Sequence, residues 1–372
     1  MTVRMLLRKV KLENLLSFRN TEVELRGLNV LIGANASGKS NLIEAVGLLQ
    51  AAPVDLSTGI LRLGGVHVVC SLASAFPISA IECVLMDESL EYRLEFAEQA
   101  KTFTILEESL SADSVGYFER IAGKVNFSPE SRGEVSPTES VFRVYKNPSD
   151  PTPITRVGRA LERIRIYREF RTTGDSQARL GTSASTRKEF LHDGGDNLAV
   201  VLLDMNFKGV HEGIRDYLRC FCDRFNDVKV NLDGPVAKTY VTESGLLEPL
   251  VAWRLSDGTL KFLCLLAVLL DPDPGPLICI EEPEVGLHPE AIQIVAEALV
   301  DASERTQLIV TTHSEALIDA LSDRPEDILV TERDFDNSTQ FRRLDKQQLS
   351  LWLERYSLGQ LWRKGEIGGT RW

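Results

Sequence analysis

Residues 28–46 read LNVLIGANASGKSNLIEAV, and this stretch decides the fold. The apolar run LNVLI is typical of a buried strand. The octet GANASGKS at 33–40 follows at once and fits the pattern G-x-x-x-x-G-K-[ST] at every fixed position. From Ser40 to Gln50, apolar residues then recur at helical spacing. The sequence therefore predicts a strand, a glycine-rich loop and a helix in immediate succession.

This loop has the composition of a phosphate-binding loop (P-loop). Glycines let backbone N–H groups curl around phosphate oxygens, and the start of the next helix adds partial positive charge. A lysine at position 39 would place a cation on the β- and γ-phosphates, and a serine hydroxyl at position 40 would ligate Mg²⁺. We therefore expect ATP and Mg²⁺ as cofactors. The expected nucleotide-binding residues are Gly33, Asn35, Ser37, Gly38, Lys39, Ser40 and Asn41.

A second motif, the acidic segment PLICIEEPEVGLHPE, spans residues 276–290. Its apolar part predicts a buried strand that ends in Glu281 and Glu282. Because side chains alternate along a strand, two adjacent carboxylates at its tip point in different directions. We assign Glu281 to the Mg²⁺ side, together with Ser40, and Glu282 to general-base catalysis or water positioning. A solvated acidic turn is the alternative, and a P-loop in the same chain makes it less favoured.

Several segments resemble the ATPase heads of ABC-type proteins. The segment WRLSDGTLKFLCLLAVLL (253–270) is similar to their signature segment, with LSDGT where LSGGQ-like sequences stand. LIVTTHSEAL (308–317) resembles their histidine-switch strand, and EEPEVGLHPE resembles the same region of RecF/SMC/OLD-like ATPases. The opening VRMLLRKVKLENLLSFRNTEVEL resembles the start of those heads. LHDGGDNLAVVL and the tail RYSLGQLWRKGEIGG resemble compact bacterial ATPases of the AAA family.

The resemblance implies an α/β P-loop NTPase fold: an ABC-type ATPase head with a mixed central sheet and a β-rich N-terminal lobe. It also implies a homodimer that sandwiches two ATP molecules, with Ser256 and Gly258 contacting the γ-phosphate in trans. His313 would be the switch histidine at the γ-phosphate. A simple turn before a helix and a passive histidine remain the alternatives for these two motifs. One departure is Glu281, because many ABC heads carry Asp there.

The domain organisation follows from the changing residue pattern. A β-meander is predicted over about 80–146, within an N-terminal lobe of residues 1–171. A C-terminal lobe of residues 172–372 begins with a Ser-, Thr- and Gly-rich segment, 172–190, that predicts a mobile loop. The remaining predicted elements are strands at 3–12, 21–32, 227–232 and 237–243 and helices at 197–205 and 211–222.

Composition limits the compartment and the partners. The net charge of −12 argues against a chain that coats nucleic acid over its whole surface. The segment 156–171 is a local exception that contains six arginines and is a candidate DNA contact, although a solvated, salt-bridged face is the alternative. No apolar stretch is long enough to cross a membrane, so we expect no membrane partner and a cytoplasmic protein. The six cysteines are expected to be reduced.

These patterns together predict an ATP-hydrolysing dimeric switch in DNA-related processes, either genome maintenance or anti-phage defence. DNA or a nuclease-type effector protein would be the controlled partner. The alternatives are a transporter ATPase subunit, a P-loop kinase or GTPase, and a nucleotide-dependent scaffold with little hydrolysis. We expect neither long coiled-coil arms nor a Toprim nuclease domain like that of OLD-like enzymes. No Q-loop glutamine is assigned, because Gln50 lies too early on the first helix.

Overall fold

The computed structural model describes residues 5–70, 78–86, 90–113, 115–127, 131–147, 149 and 152–368. The strands are β1 (Leu7–Leu15), β2 (Phe18–Glu24), β3 (Leu28–Ile32), β4 (Ile78–Leu85), β5 (Leu90–Gln99), β6 (Thr102–Ala112), β7 (Val115–Ile121), β8 (Lys124–Phe127), β9 (Ser131–Glu134), β10 (Arg165–Tyr167), β11 (Thr182–Ser183), β12 (Phe225–Asp233), β13 (Val236–Glu243), β14 (Leu250–Val251), β15 (Leu277–Glu281), β16 (Gln307–Thr311), β17 (Ile328–Arg333) and β18 (Thr339–Arg343). The α-helices are α1 (Lys39–Ala51), α2 (Leu56–Arg62), α3 (Val66–Val69), α4 (Val141–Tyr145), α5 (Pro153–Glu162), α6 (Gln177–Leu180), α7 (Leu198–Phe207), α8 (His211–Phe221), α9 (Asp257–Leu269), α10 (Pro289–Ser303), α11 (Glu315–Ala320), α12 (Lys346–Leu353) and α13 (Leu358–Arg363).

A six-stranded mixed sheet forms the centre of the molecule, with the order β10-β15-β16-β3-β17-β18. All neighbours in it are parallel except the last pair, β17 and β18. The carboxyl ends of parallel neighbouring strands lie at the same edge of a sheet, where α/β proteins bind ligands. The P-loop follows β3 at this edge, and the Glu281 and His313 segments follow β15 and β16. The mixed central sheet expected from the resemblance is therefore present.

Two hydrophobic cores cover the two faces of this sheet. On β3, Val30 packs into one core and Leu31 into the other. On β15, Ile280 and Cys279 divide in the same way. This alternation explains why the strands are mostly apolar, since both of their faces are buried. The first core contains the buried faces of α7 to α11, and the second contains α1 and an antiparallel sheet.

That antiparallel sheet has eight strands in the order β2-β1-β4-β5-β6-β7-β8-β9. Its last six strands, β4 to β9, follow one another in sequence order, so the predicted meander is confirmed as far as Glu134. Its predicted end is wrong, because residues 141–145 form helix α4, which is capped by the Ser140 hydroxyl. The single strand predicted over 21–32 is wrong. The segment forms β2 of the antiparallel sheet and β3 of the central sheet, with a turn at residues 25–27 between them. Strand-forming residues on both sides of Arg26 and Gly27 suggest a single strand, and only long-range pairing separates the two.

The segment 172–190 was predicted to be a mobile loop, and this is wrong for part of it. It contains the short helix α6 and the strand β11, which pairs with β13 in a small sheet completed by β12 and β14. Ala178 and Thr182 are buried. These elements are too short to show a local periodicity, and β11 is defined by its long-range pairing with β13.

The described residues contain no helix that is both long and apolar enough to cross a lipid bilayer. All six cysteines are free thiols. Cys83, Cys264 and Cys279 are buried, and burial raises the pKa of each thiol above its usual range. These three cysteines therefore behave as small apolar core residues, as predicted.

Candidate nucleotide-binding and catalytic site

The P-loop needs glycine at two positions because neighbouring atoms approach its backbone closely. A Cβ on Gly33 would lie 2.3 Å from the carbonyl oxygen of Thr331. A Cβ on Gly38, whose φ is +109°, would lie 2.1 Å from the Thr339 hydroxyl oxygen. These contacts come from β17 and β18, which flank the loop. Asn35 is exposed on the outer part of the loop.

A hydroxyl network holds the P-loop from outside and was not predicted. Thr339 donates its hydroxyl to the carbonyl of Ser37 at 2.8 Å, and its Oγ1 lies 2.7 Å from the hydroxyl of Ser17. The side chain of Asn41 donates to the same Ser17 hydroxyl at 2.7 Å. The side chain of Asn41 therefore braces the loop, and its backbone N–H remains the group available to a phosphate. Nothing local in the sequence connects residues 37 and 339.

Lys39 is buried beneath the loop and points back at it. Its Nζ donates to the carbonyls of Gly33 at 2.8 Å and Ala34 at 3.0 Å. Burial lowers the pKa of Lys39 from its usual 10.5 to about 8, and the charge of Glu282 opposes this shift. The ammonium group is therefore held at the position where the loop would cradle a phosphate, and it lacks a carboxylate within salt-bridge distance among the described residues.

This pKa predicts that ATP binding takes up a proton. Phosphate charge favours the protonated amine, so near pH 8 ATP should bind with uptake of about half a proton. The affinity should fall about tenfold between pH 7 and pH 9, because the free protein then loses the Lys39 proton. Calorimetric titration with ATP in buffers of different ionisation enthalpy measures both quantities. Lys39→Arg is the control, since its guanidinium stays charged over this range; equal pH dependence in both proteins would contradict the assignment.

Ser40 and Glu281 meet at the predicted metal side of the site. The Ser40 hydroxyl donates to Glu281 Oε2 at 3.1 Å. Glu281 Oε1 accepts from Arg168 Nε at 3.0 Å, and Arg168 also binds Glu44 at 2.7 Å. Arg168 follows β10, the strand beside β15, and its role was not predicted. Burial raises the pKa of Glu44, and Arg168 opposes this shift.

Glu282 and His313 form a second pair, just beyond the carboxyl ends of β15 and β16. His313 Nε2 is 3.9 Å from Glu282 Oε1. Burial lowers the pKa of His313, with a further contribution from Lys39, so the ring is neutral at pH 7. Glu282 lies one residue beyond β15, and its φ is +44°. Its direction therefore comes from a left-handed backbone position, and the strand alternation that we expected does not extend to it.

Glu284 fixes the histidine segment and was also missed. Its Oε1 accepts from the Thr312 hydroxyl at 2.7 Å and from the backbone N–H of His313 at 2.9 Å. The carboxylate thus ties the turn after β15 to the end of β16. The sequence E-E-P-E at residues 281–284 could have indicated this role, because a third carboxylate in such a short turn needs hydrogen-bond donors nearby.

The signature segment forms the start of α9, as the resemblance implies. Ser256 caps the helix: its hydroxyl oxygen accepts from the Thr259 N–H at 3.1 Å. A Cβ on Gly258 would lie 2.9 Å from the Gly286 carbonyl, so the signature segment abuts the turn after Glu282. Within the described residues, neither Ser256 nor Gly258 hydrogen bonds to the P-loop. An open cavity of about 980 Å³ lies beside these elements and is lined by Asp257, Glu281 and Glu282 among others.

At least three of the six arginines in the cluster are engaged in internal contacts. Arg163 binds Asp273 at 2.8 Å, and Arg168 binds the two carboxylates described above. The guanidinium of Arg165 stacks over Phe190, 3.7 Å from the ring centroid. These three arginines contribute to packing and to the metal side of the site. At least three charges of the candidate DNA contact are therefore already engaged within the chain.

The chain is similar to several known proteins. Residues 28–319 match the family model described as "AAA domain, putative AbiEii toxin, Type IV TA system". The Old nuclease of Escherichia phage P2 is 25% identical over 361 residues, which cover 86% of this chain and 58% of that protein. The chain therefore spans less than two thirds of that relative's length.

Two solved structures share the fold at low identity. One is the Smc head bound to the C-winged helix domain of ScpA, with a TM-score of 0.58, 12% identity, and coverage of 92% of this chain and 99% of that chain. The other is the Smc head with an extended coiled coil, bound to the C-terminal domain of ScpA, from Pyrococcus furiosus. Its TM-score is 0.56, with 12% identity over 94% of this chain and 98% of that chain. The fold is therefore that of an ABC-type P-loop NTPase head.

The family match covers well over half of the chain. The chain therefore belongs to the AAA-domain family with that description, and its fold is that of the P-loop NTPase heads of Smc proteins.

Proposed function

We propose that this protein is an ATP-gated dimeric switch that hydrolyses ATP between two copies of its head. One observation carries the proposal: Lys39, the Ser40–Glu281 pair and the Glu282–His313 pair all lie at the carboxyl edge of three neighbouring parallel strands. A cation, a metal-side carboxylate and a candidate base with its histidine are the groups that phosphoryl transfer to water requires. A scaffold without hydrolysis needs neither Glu282 nor His313 there.

The P-loop would bind the phosphates of ATP. Backbone N–H groups between Gly33 and Asn41 and the Lys39 ammonium would contact the β- and γ-phosphates. The donor set at Ser40 and Glu281 fits Mg²⁺, which takes oxygen ligands and completes its shell with phosphate oxygens and water. When bound, Mg²⁺ would neutralise phosphate charge. Arg168 would keep the Glu281 carboxylate oriented toward Ser40.

Glu282 would accept a proton from the attacking water. The water oxygen forms a bond to the γ-phosphorus while the bond to the bridging oxygen of ADP breaks, and the products are ADP and inorganic phosphate. His313, neutral at pH 7, would donate an N–H to the γ-phosphate or hold the water in line. Glu284 would keep the histidine segment in place through its two hydrogen bonds.

The second copy would complete the site with its signature segment. The Ser256 hydroxyl and the N–H groups at the start of α9 form an anion site, and within one chain they do not contact the P-loop. In the dimer, the N-terminal lobe (1–171) of one copy would supply the P-loop, and the C-terminal lobe (172–372) of the other would supply Ser256 and Gly258. The γ-phosphate would then join the two copies, and its removal would release them.

Ser256→Arg tests this arrangement. Ser256 is exposed, so the new side chain should block the approach of a partner head, while the lost cap of α9 should cost only about 1 kcal/mol of stability. We expect ATP to bind with unchanged affinity and phosphate release to fall by about tenfold or more, the loss that one phosphate-contacting donor supplies. Phosphate release is measured with a coupled assay. Ser350→Arg, an exposed serine on α12, is the control. Parental turnover in Ser256→Arg would contradict a site completed in trans.

The relatives support a partner for this switch. The likeness to the Old nuclease and the toxin–antitoxin wording of the family description favour a nuclease-type effector protein in genome maintenance or anti-phage defence. The internal contacts of Arg163, Arg165 and Arg168 favour such a protein over direct DNA binding at the arginine cluster. The ATP-bound dimer would be the state that the effector recognises.

A further inference from the structure

A single arginine from the segment 172–190 holds the signature segment, and neither the motifs nor the comparisons assign it a role. We infer that Arg179 is a positioning residue that keeps residues 253–257 in the shape that receives a phosphate. The inference rests on the proposed function, because it concerns the segment that would contact ATP in trans. It adds to that function by naming the residue that prepares the signature segment to bind a phosphate of the ATP held by the other copy.

The guanidinium of Arg179 contacts the signature segment at three points. Its NH1 donates to the carbonyl of Trp253 at 3.1 Å and to the carbonyl of Leu255 at 2.8 Å. Its NH2 binds the carboxylate of Asp257, and its Nε donates to the carbonyl of Thr172. The side chain is only 12% exposed, so these bonds are largely shielded from water. A planar, forked guanidinium can serve all of these acceptors at once, and a lysine cannot.

These acceptors are the groups that would oppose phosphate binding. Carbonyl oxygens and a carboxylate close to Ser256 present negative charge to an approaching anion. Arg179 turns the carbonyls of Trp253 and Leu255 toward a cation and neutralises Asp257. This compensation matters here because LSDGT has an acid where LSGGQ-like sequences have glycine. The hydroxyl of Ser256 and the free N–H groups of α9 are then the groups left facing the partner.

The bond to Thr172 connects the signature segment to the metal side of the same head. Thr172 lies four residues after Arg168, which binds Glu281. The backbone between them is held in turn, because the N–H of Arg171 donates to the carbonyl of Gly194 at 2.8 Å. Arg179 therefore joins the signature segment to the segment after β10, which carries Arg168.

The test uses Glu282→Gln as the parental background, with ATP binding and dimerisation measured separately. A fluorescent ATP analogue reports binding to the P-loop, and light scattering with Mg-ATP reports dimer formation. For Arg179→Gln we expect binding within twofold of the parent and dimerisation weakened by at least about tenfold, the loss that one or more charged hydrogen bonds supply. Arg187→Gln is the matched control, because Arg187 is exposed in the same segment.

Two further variants identify the cause. Asp257→Asn added to Arg179→Gln should recover part of the dimerisation, because it removes the carboxylate that Arg179 neutralises. Arg179→Lys keeps the charge and should fold even where Arg179→Gln unfolds, and we expect intermediate dimerisation. If both Arg179 variants dimerise like the parent, the inference is wrong and the proposed function stands. The same holds if Arg179→Gln weakens ATP binding as much as it weakens dimerisation. Failure of the parental background itself to dimerise would overturn the proposed function and the inference with it.

Discussion

Glu282→Gln should lower the rate of ATP hydrolysis by about 10²- to 10⁴-fold, the usual contribution of a positioned general base. Glu282 lies just beyond β15 with a positive φ, and its backbone N–H donates to the carbonyl of Thr311 at 3.0 Å. Its carboxylate lies 3.9 Å from His313 Nε2, whereas the neighbouring Glu281 accepts from the Ser40 hydroxyl. Glutamine has the same shape but does not accept the proton of the attacking water. ATP binding should persist, since the P-loop and Lys39 are unchanged.

A phosphate-release assay at saturating Mg-ATP measures this effect. Glu290→Gln is the matched control, because its side chain is 92% exposed on the first turn of α10 and should leave the rate unchanged. If Glu282→Gln hydrolyses ATP at the parental rate, another group activates the water and our catalytic assignment is wrong.

Lys39→Met should weaken ATP binding by about 10- to 100-fold, the equivalent of one strong charge-assisted contact. The Nζ is already held beneath the loop by the carbonyls of Gly33 and Ala34, so little ordering is needed when a phosphate arrives. Methionine fills the same space without charge. Titration with a fluorescent ATP analogue measures the change, and Lys229→Met, at a 58% exposed side chain, is the control.

The same variant should be at least as stable as the parent. Because the pKa of Lys39 is lowered to about 8 in the folded protein, folding opposes the charge on this amine. The destabilisation is largest below pH 8 and disappears as the pH rises toward the unfolded value of 10.5. At pH 7, Lys39→Met should raise the free energy of unfolding by up to about 3 kcal/mol. Unchanged ATP affinity in this variant would contradict the role of Lys39.

The central parts of the fold could be predicted because their signals are local. The P-loop joins an apolar strand to a helix within 20 residues, and the strand before Glu281 is short and apolar. For both segments, the composition and the motif predict the same local structure. The break between β2 and β3 was missed because only Arg26 and Gly27 interrupt the strand-forming residues, and only long-range pairing assigns the two strands to different sheets.

The supporting residues could not be predicted, because their partners are distant in sequence. Thr339 on β18 donates its hydroxyl to the carbonyl of Ser37 in the P-loop, 302 residues earlier in the sequence. Arg168, just after β10, binds Glu281 at the end of the neighbouring strand β15. Glu282 was assigned a direction by strand alternation, whereas a left-handed backbone position sets it. Arg179 lies in a segment whose composition predicts a loop. Motifs thus identify the groups proposed for the chemistry, and the structure supplies those that hold them.

The mass of Glu282→Gln in solution, measured by light scattering with and without Mg-ATP, tests the ATP-gated switch most directly. We predict a monomer without nucleotide and a doubling of mass with Mg-ATP, because the unhydrolysed γ-phosphate would hold the P-loop of one copy against Ser256 and Gly258 of the other. A mass that stays that of a monomer at saturating Mg-ATP would contradict the switch and leave a P-loop ATPase whose site is completed by something other than a second copy.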